Sequence, residues 1–400
     1  MRLCWFIPDD RGGGTASVAL SCCRQAARHG HEVTLLMGLP PTGHHAEHVE
    51  QFEVDSLHAP TPYTDIPGRL VDWLKEHPQD VVFVNGCSEV EPALSHLPPS
   101  TYCVDVVHDT ASQYWERTVS NEAVLDAIVA VSATVARQFQ DRLVDPSRLS
   151  VCHNGTVFPP MPSSDEGGRR SGDILFVGGG KPIKGCGDVI DLWPVLVDRG
   201  FQGQLHWFGG LTDTLRESIA SLPEHDRIVD HGRVPRSEIF ARASRSKVLL
   251  MLSRVEPFGM VTIEAMGMGA LPVAWDIPTG TKEIVTHGET GFFASLGDLD
   301  ALASRVVDAL RHHEQMRDET VRVARERFSE EAMWERYAER IDALTRRPPV
   351  DRPDAGTPPP EYDPPRRYFQ MVPEPIRAKI RSVVEKSPKL GYWLRDWRGF

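Results

Sequence analysis

Two glutamates with seven residues between them, Glu256 and Glu264, stand in the run Ser253-Arg254-Val255-Glu256-Pro257-Phe258-Gly259-Met260-Val261-Thr262-Ile263-Glu264. Glu256 lies after an apolar run and before a glycine turn, and Glu264 falls inside the helical stretch that follows. Carboxylates accept hydrogen bonds from paired hydroxyls, which suits a ribose diol or a sugar ring. Between the two glutamates, the turn and helix start formed by Phe258, Gly259, Met260 and Val261 offer backbone N–H groups to a phosphate. Glu264 has Val261, Ile263, Ala265 and Met266 around it, so a buried charge there needs a partner, and a ligand is a natural one. The alternative for either residue is a solvated helix carboxylate.

Two glycine-rich turns carry the complementary charge. Phe176-Val177-Gly178-Gly179-Gly180-Lys181-Pro182-Ile183-Lys184-Gly185 runs from a strand through a turn into a helix. Ammonium groups beside a helix N-terminus suit a diphosphate because point charge and dipole act together. Lys184, and with less force Lys181, fit that role, the alternative being surface charge in water. The second turn, Asp9-Asp10-Arg11-Gly12-Gly13-Gly14-Thr15, follows the first strand and opens the first helix, so Gly13 and Gly14 let backbone approach an anion or a sugar. It lacks the G-x-G-x-x-G spacing, and no acidic residue ends the next strand, which disfavours a nicotinamide cofactor. Among sixteen histidines no pair has i,i+4 spacing on an evident helix. The expectation is a site without a metal, in which lysines and helix dipoles stabilise a leaving group.

The elements that must position these residues alternate. Apolar runs at 3–7, 32–37, 81–84, 102–107 and 127–131 read as buried strands, with a helix at 17–28. The pattern restarts with strands at 173–177, 204–208, 227–231, 247–252 and 271–275 and helices at 184–198, 260–268 and 299–312. Continuous apolar strands separated by helices predict parallel sheets covered on both faces. A Pro/Ser/Gly-rich break at 158–172 separates the two series. The expected division is a Rossmann-like domain at 1–160, a second at 173–328, a closing helix at 329–345, an extended proline-rich linker at 346–365 and a basic aromatic tail at 366–400.

Charge and composition exclude other classes. The net charge is −12, and the chain has seven scattered cysteines without a C-x-x-C pair. An acidic body argues against nucleic acid as partner, and the cysteines fit a reducing cytoplasm rather than a disulfide framework. No apolar run is long enough to span a bilayer, and 3–7 reads as a buried strand rather than part of a leader. The tail is the exception in charge, with nine Lys/Arg against three Asp/Glu from Arg366 to Phe400. Two uses fit it: peripheral contact at the inner membrane face, or docking onto the acidic body of the same chain or of a homodimer mate.

The ordered set of pieces resembles a known family. Residues 1–345 are similar to the retaining GT-B glycosyltransferases that carry two glutamates separated by seven residues, the family 4-like "glycosyl transferases group 1". The pieces are the first glycine loop, His108-Asp109, Val131-Ser132, Asn154-Gly155, Lys184-Gly185, the glutamate pair and the stretch from Gly288 to Gly291. The resemblance implies two doubly wound α/β domains facing across a cleft, with the acceptor on the first and the sugar nucleotide on the second. It implies that Glu256 meets the donor sugar near its reacting centre, that Glu264 holds the ribose and that Lys184 neutralises the departing diphosphate. The backbone around Gly14 would face phosphates or acceptor, and His108 would stand by the anomeric carbon. The implied activity is transfer of a hexose-type sugar, with retention, from a UDP- or GDP-sugar to a glycan, lipid-linked or small-molecule acceptor. A sugar-nucleotide epimerase or hydrolase and a non-catalytic nucleotide-binding protein are the alternatives. One position departs from the pattern: Gly179 stands where the family usually has an arginine. The missing guanidinium leaves the diphosphate to Lys181 or Arg233.

Overall fold

A computed structural model describes residues 1–10, 13–41, 50–57, 64–161 and 172–362. The chain divides into two compact units, Met1–Gly155 joined by the segment that begins at Glu330, and Thr156–Ser329.

In the first unit the elements run β1 (Arg2–Ile7), α1 (Gly14–Arg28), β2 (Glu32–Met37), β3 (Glu53–Ser56), α2 (Ile66–Glu76), β4 (Val81–Phe83), β5 (Tyr102–Val107), α3 (Ser112–Ser120), β6 (Ala127–Ala130), α4 (Ala133–Ala136) and β7 (Leu149–Val151). All seven strands are parallel, in the order β3-β2-β1-β4-β5-β6-β7. The inner strands are almost wholly buried; Leu3, Cys4, Trp5, Phe6 and Ile7 are at most 1% exposed, as expected for a sheet with helices on both faces. Trp5 stacks on Phe83 of the neighbouring strand, with ring centroids 4.3 Å apart.

The second unit has β8 (Ile174–Val177), α5 (Cys186–Asp198), β9 (Leu205–Phe208), α6 (Asp213–Ala220), β10 (Ile228–Gly232), α7 (Arg236–Ala243), β11 (Val248–Met251), α8 (Met260–Gly267), β12 (Leu271–Trp275), α9 (Thr281–Ile284), β13 (Phe292–Ala294) and α10 (Leu299–Phe328). Its six strands, again parallel, follow the order β10-β9-β8-β11-β12-β13. Each sheet therefore has the doubly wound order, which reverses direction beside its first strand: between β1 and β4, and between β8 and β11. A crevice opens beyond the carboxyl ends of the strands at such a reversal.

Three short strands, β3, β7 and β13, were not expected. The first of them, Glu-Val-Asp-Ser, has no apolar run to announce it. Helix α10 continues sixteen residues beyond the expected end at 312, because His313, Met316, Thr320, Ala324 and Phe328 form a buried stripe at helical spacing. The stripe is weakly apolar and easily read as surface.

The helix expected at 329–345 is α11 (Glu330–Leu344), and it packs in the first unit. Glu330 is 2% exposed, and its carboxylate accepts from Arg24, from Gln25 at 2.8 Å and from Arg28 at 3.1 Å. The proline-rich segment corrects a second expectation. It is not a free spacer: its described part, through residue 362, lies along the first unit. Arg352 is 2% exposed and donates to Asp126 at 2.5 Å, to the Thr101 carbonyl at 2.8 Å and to the Val124 carbonyl at 3.2 Å. Val350 N–H donates to Asp126 at 2.7 Å, His96 meets the Thr357 hydroxyl at 2.9 Å, and the Tyr362 hydroxyl meets Ser88 at 3.0 Å. Proline has no N–H to donate to a sheet ladder, so this strap holds on through side chains and the few N–H groups between its prolines. The tail at 366–400, with the membrane and docking uses expected of it, lies outside the described residues. Among the described residues no helix is long and apolar enough to cross a membrane.

Removing one member of a buried ion pair leaves the other charge unpaired, a loss of about 3–5 kcal/mol. Arg352→Ala is therefore expected to destabilise the first unit by that order, and chemical denaturation monitored by tryptophan fluorescence checks it. An unchanged midpoint would show the strap to be a passive tether.

Candidate functional site

The second sheet reverses direction between β8 and β11, and both strands end in the residues expected to do chemistry. After β8 the chain makes the Gly178-Gly179-Gly180 turn, then a single 3-10 turn at Pro182–Lys184. Gly185 follows with φ 82°, and a Cβ there would lie 2.6 Å from the Leu252 Cβ. Only glycine lets the lysine turn come this close to the end of β11. Lys184 is thereby delivered to the loop after β11, where its Nζ donates to Glu256 Oε2 at 2.7 Å. Ser253 Oγ donates to the same oxygen at 3.0 Å, and Oε1 takes no hydrogen bond from a described residue. The Lys184 side chain is one-third exposed and that of Glu256 about one-tenth, so the pair stands at the surface of the crevice with the carboxylate recessed.

A cluster not expected from the sequence clamps the two loops together. Arg254 N–H donates to the Ile183 carbonyl at 2.8 Å. The Arg254 guanidinium, its carbon 5.6 Å from the Trp275 ring centroid, pairs with Asp188 on α5 at 2.5 Å. Trp275 Nε1 donates to the same carboxylate at 2.9 Å. Asp188 thus ties the lysine loop, the glutamate loop and the end of β12 into one body.

Beyond Glu256, its carbonyl accepts from Gly280 N–H at 2.7 Å, which lays the 276–283 loop against the glutamate turn. Phe258 is 3% exposed and packs edge-on against Phe328, anchoring the turn to the end of α10. Helix α8 then begins at Met260 and Val261 after Gly259, with no side-chain cap, so its first N–H groups remain for another acceptor. Glu264 is buried as expected, but the protein itself supplies its partner. Arg236, from α7, donates to Glu264 Oε1 at 2.5 Å and also bonds the Thr156 hydroxyl. Burial raises the Glu264 pKa, and the guanidinium opposes that shift. A ligand is therefore not required to neutralise Glu264; any hydroxyl it holds shares the carboxylate with Arg236.

The Gly179 position explains its own departure. Its φ is 55°, and a Cβ would lie 3.0 Å from the Gly210 carbonyl oxygen. Gly179 N–H donates to the Phe208 carbonyl at 2.9 Å, and its carbonyl accepts from Trp207 Nε1 at 3.1 Å. The turn is pressed onto the Gly209-Gly210 loop, and a side chain at 179 would have to break that contact. Arg233 lies beside the same loop, its Nε 3.7 Å from where a Gly210 Cβ would stand. Lys181 and Arg233 are both exposed. Lys181, Lys184 and Arg233 thus border one glycine-lined turn.

In the first unit, Gly13 caps α1 with φ 110° and no side-chain hydrogen bond, leaving Gly14 as the first helical residue. His108 follows β5, in the same row of strand ends. Its Nε2 lies 3.0 Å from Asn85 Oδ1, and burial lowers its pKa to about 4, so the imidazole is neutral at pH 7.

Comparison with known proteins agrees with this arrangement. The family model for Glycosyltransferase Family 4 matches residues 12–157, and that for Glycosyl transferases group 1 matches residues 171–312, together more than half of the chain. The chain belongs to the GT-B glycosyltransferases. Within that family, the phosphatidyl-myo-inositol mannosyltransferase of Mycolicibacterium smegmatis is 25% identical over 350 residues, covering 80% of this chain and 86% of the relative. Other curated relatives are matched over shorter stretches. For the N-acetyl-alpha-D-glucosaminyl L-malate synthase of Bacillus anthracis (28% identical) the match covers 33% of each chain. For the GDP-mannose:cellobiosyl-diphosphopolyprenol alpha-mannosyltransferase of Xanthomonas campestris (26% identical) it covers 48% of this chain and 52% of the relative. Crystal structures share the fold: Anabaena HepE in complex with UDP superimposes with a TM-score of 0.70 at 17% identity, covering 86% of this chain and all of that one.

For this GT-B chain the sequence brought Lys184 and Glu256 into view and missed Asp188, Arg254, Arg236 and Asn85. Each of the four acts through a partner distant in sequence, and only Arg254, beside the glutamate run, carried a local signal.

Installing the family's arginine should not restore a phosphate fork. Gly179→Arg is expected to destabilise the second unit by about 1 kcal/mol or more, because a side chain is forced into a positive-φ turn without room for Cβ. A thermal melt of the variant checks this. A stability equal to the parent's, with tighter nucleotide binding, would show that the turn can open.

Proposed function

We propose that the chain is a retaining glycosyltransferase that moves a hexose-type sugar from a nucleoside-diphosphate donor to a glycan, lipid-linked or small-molecule acceptor. The observation that carries this reading is the Lys184–Glu256 contact at the reversal of the second sheet. An ammonium has three N–H donors, and Glu256 takes one, leaving two for a diphosphate oxygen. One lysine can therefore couple the carboxylate that meets the sugar to the phosphate that leaves it. Glu256 Oε1 is the acceptor for a sugar hydroxyl, the first N–H groups of α8 face the phosphate, and Lys181 and Arg233 add positive charge without a metal ion. Glu264, steadied by Arg236, is the residue for the ribose. Gly13 and Gly14 offer the uncapped start of α1, and neutral His108 offers a hydrogen bond to a sugar hydroxyl.

In the proposed reaction the bond between the anomeric carbon and the phosphate oxygen breaks through an oxocarbenium-like transition state. The acceptor oxygen bonds the same face of that carbon, its proton passes to the departing phosphate, and Lys184 stabilises the charge that develops there. The donor is a UDP- or GDP-sugar, a reading supported by the UDP and UDP-glucose bound in the Anabaena structures and the GDP-mannose named for the Xanthomonas relative. The alignment with several of those relatives covers only part of their length, so substrates are assigned here from the site rather than from their names. The reading places the protein in the cytoplasm, where nucleotide sugars are found.

A bound donor raises the melting temperature by mass action, about 2.7 kcal/mol of stabilisation at one hundred times Kd. UDP-, GDP- and TDP-sugars are therefore screened for thermal protection, and the protecting donor is offered acceptors with NMR detection of the product. The expected product keeps the donor's anomeric configuration. Lys184→Ala should lower kcat about 10²- to 10³-fold, the range seen on removing one donor to a developing anion. Donor consumption without acceptor would replace this reading with an epimerase or hydrolase, and donor binding with no turnover across the acceptors would replace it with a binding protein.

A further inference from the structure

We propose that Asn85 is a positioning residue for His108: its side-chain amide selects the imidazole tautomer with the proton on Nε2 and so leaves Nδ1 as the acceptor offered to a sugar hydroxyl. The inference rests on the sugar-handling role of His108 argued above.

Asn85 follows β4, His108 follows β5, and Phe6 lies in β1, so three adjacent strands of the first sheet contribute. Asn85 is buried and holds a left-handed backbone conformation, φ 49°, which is uncommon outside glycine and most often taken by Asn or Asp. That conformation turns its amide inward. Nδ2 donates to the Phe6 carbonyl at 3.0 Å. A backbone carbonyl can only accept, so the amide cannot be flipped: Oδ1 would then face the Phe6 oxygen. Oδ1 must point to His108 Nε2, 3.0 Å away, and an amide oxygen too can only accept. The proton of the imidazole is therefore on Nε2. A neutral imidazole has one donor and one acceptor, so Nδ1 carries the lone pair. Burial keeps His108 neutral at pH 7, which is the state in which a choice of tautomer exists.

The turn that carries Asn85 is held from several sides. Gly86 N–H donates to Asp105 at 2.8 Å, Arg117 donates to the Gly86 carbonyl at 2.9 Å, and Cys87 N–H closes onto Val84 at 3.1 Å. Tyr362, at the end of the strap, meets Ser88 at 3.0 Å. The amide is thus fixed in place before any ligand arrives, as a preorganised acceptor site requires.

The full chain with ¹⁵N-labelled histidine reports the tautomer directly, because protonated and unprotonated ring nitrogens resonate far apart. The expected result at pH 7 is a His108 signal with Nε2 protonated and Nδ1 bare. In Asn85→Ala the Nδ1–H form should appear, and kcat should fall about 10- to 100-fold with the donor KM within twofold, the range seen when a histidine loses its orienting partner. Asn85→Asp, whose carboxylate still accepts from Nε2–H although its second oxygen then faces the Phe6 carbonyl, should keep the Nε2–H signal and recover part of kcat. A parent protein with the proton on Nδ1 overturns the proposal outright, as does an Asn85→Ala protein whose tautomer and kcat match the parent. Should Asn85→Ala fail to fold, the parent spectrum and Asn85→Asp still decide. The spectrum needs no turnover, so loss of the transferase reading and loss of the tautomer reading are told apart.

Discussion

A lysine ammonium and a glutamate carboxylate 2.7 Å apart, at the point where a parallel sheet changes direction, set the terms for the second unit. Neither charge is fully withdrawn from water, so the pair contributes little to stability as an ion pair. Its significance is geometric. Lys184 and Glu256 are seventy-two residues apart, and they meet because β8 and β11 are neighbours and because Gly185 lets one loop lie against the other. The Arg254–Asp188–Trp275 cluster then holds the loops in register from behind, using a guanidinium fork rather than a flexible ammonium. The exposed lysine is thus free to share its remaining N–H groups, because it is not what holds the loops together.

The buried polar groups follow a different rule from the surface pair. Glu264 with Arg236, Glu330 with Arg24 and Asp126 with Arg352 are each a recessed carboxylate matched to an arginine. Two of these arrangements bring distant segments into the first unit: Glu330 fastens the returning helix to α1, and Asp126 receives the strap. Glu264 alone lies among the residues read as a ligand site. Its carboxylate combines the elements of a structural pair with those of a binding group, which is consistent with a ribose contact that adds to a formed network rather than completing an empty one.

The parts legible in the sequence were those carried by local pattern. Buried parallel strands announce themselves as continuous apolar runs, and α/β alternation leaves few topologies. Lys184 and Glu256 were recognisable because each closes a strand–glycine–helix sequence. The failures have one physical cause, pairing across sequence distance. Nothing near Glu264 says that Arg236 will face it. Nothing in eight prolines says that Arg352 will be buried against Asp126, and composition alone suggested a spacer. The second half of α10 was lost because its buried stripe includes a histidine and a threonine, types that read as solvated until their partners are known: His313 bonds the Gly269 carbonyl at 2.8 Å, and Thr320 the Met316 carbonyl at 2.9 Å.

Among the described α-helices, a positive-φ glycine at the N-cap marks those that follow three of the strands flanking the two reversals. The helices that follow β1, β8 and β11 start at Gly13, Gly185 and Gly259, each with positive φ and no side-chain cap. The helices that follow β6, β9 and β13 start at Ser132, Thr212 and Asp298, whose side-chain oxygens accept from Val135, Leu215 and Ala301 N–H groups. A capped N-terminus is satisfied by its own chain; an uncapped one keeps both its N–H groups and its positive dipole end for something else. Capping typically contributes about 1 kcal/mol. The helices that follow β3, β5, β10 and β12 also lack a side-chain cap, so what sets these three starts apart is the positive-φ glycine, which adds a backbone entropy cost to the missing cap. An anionic ligand in each unit's crevice would compensate it, and a phosphate-bearing substrate has the charge to do so.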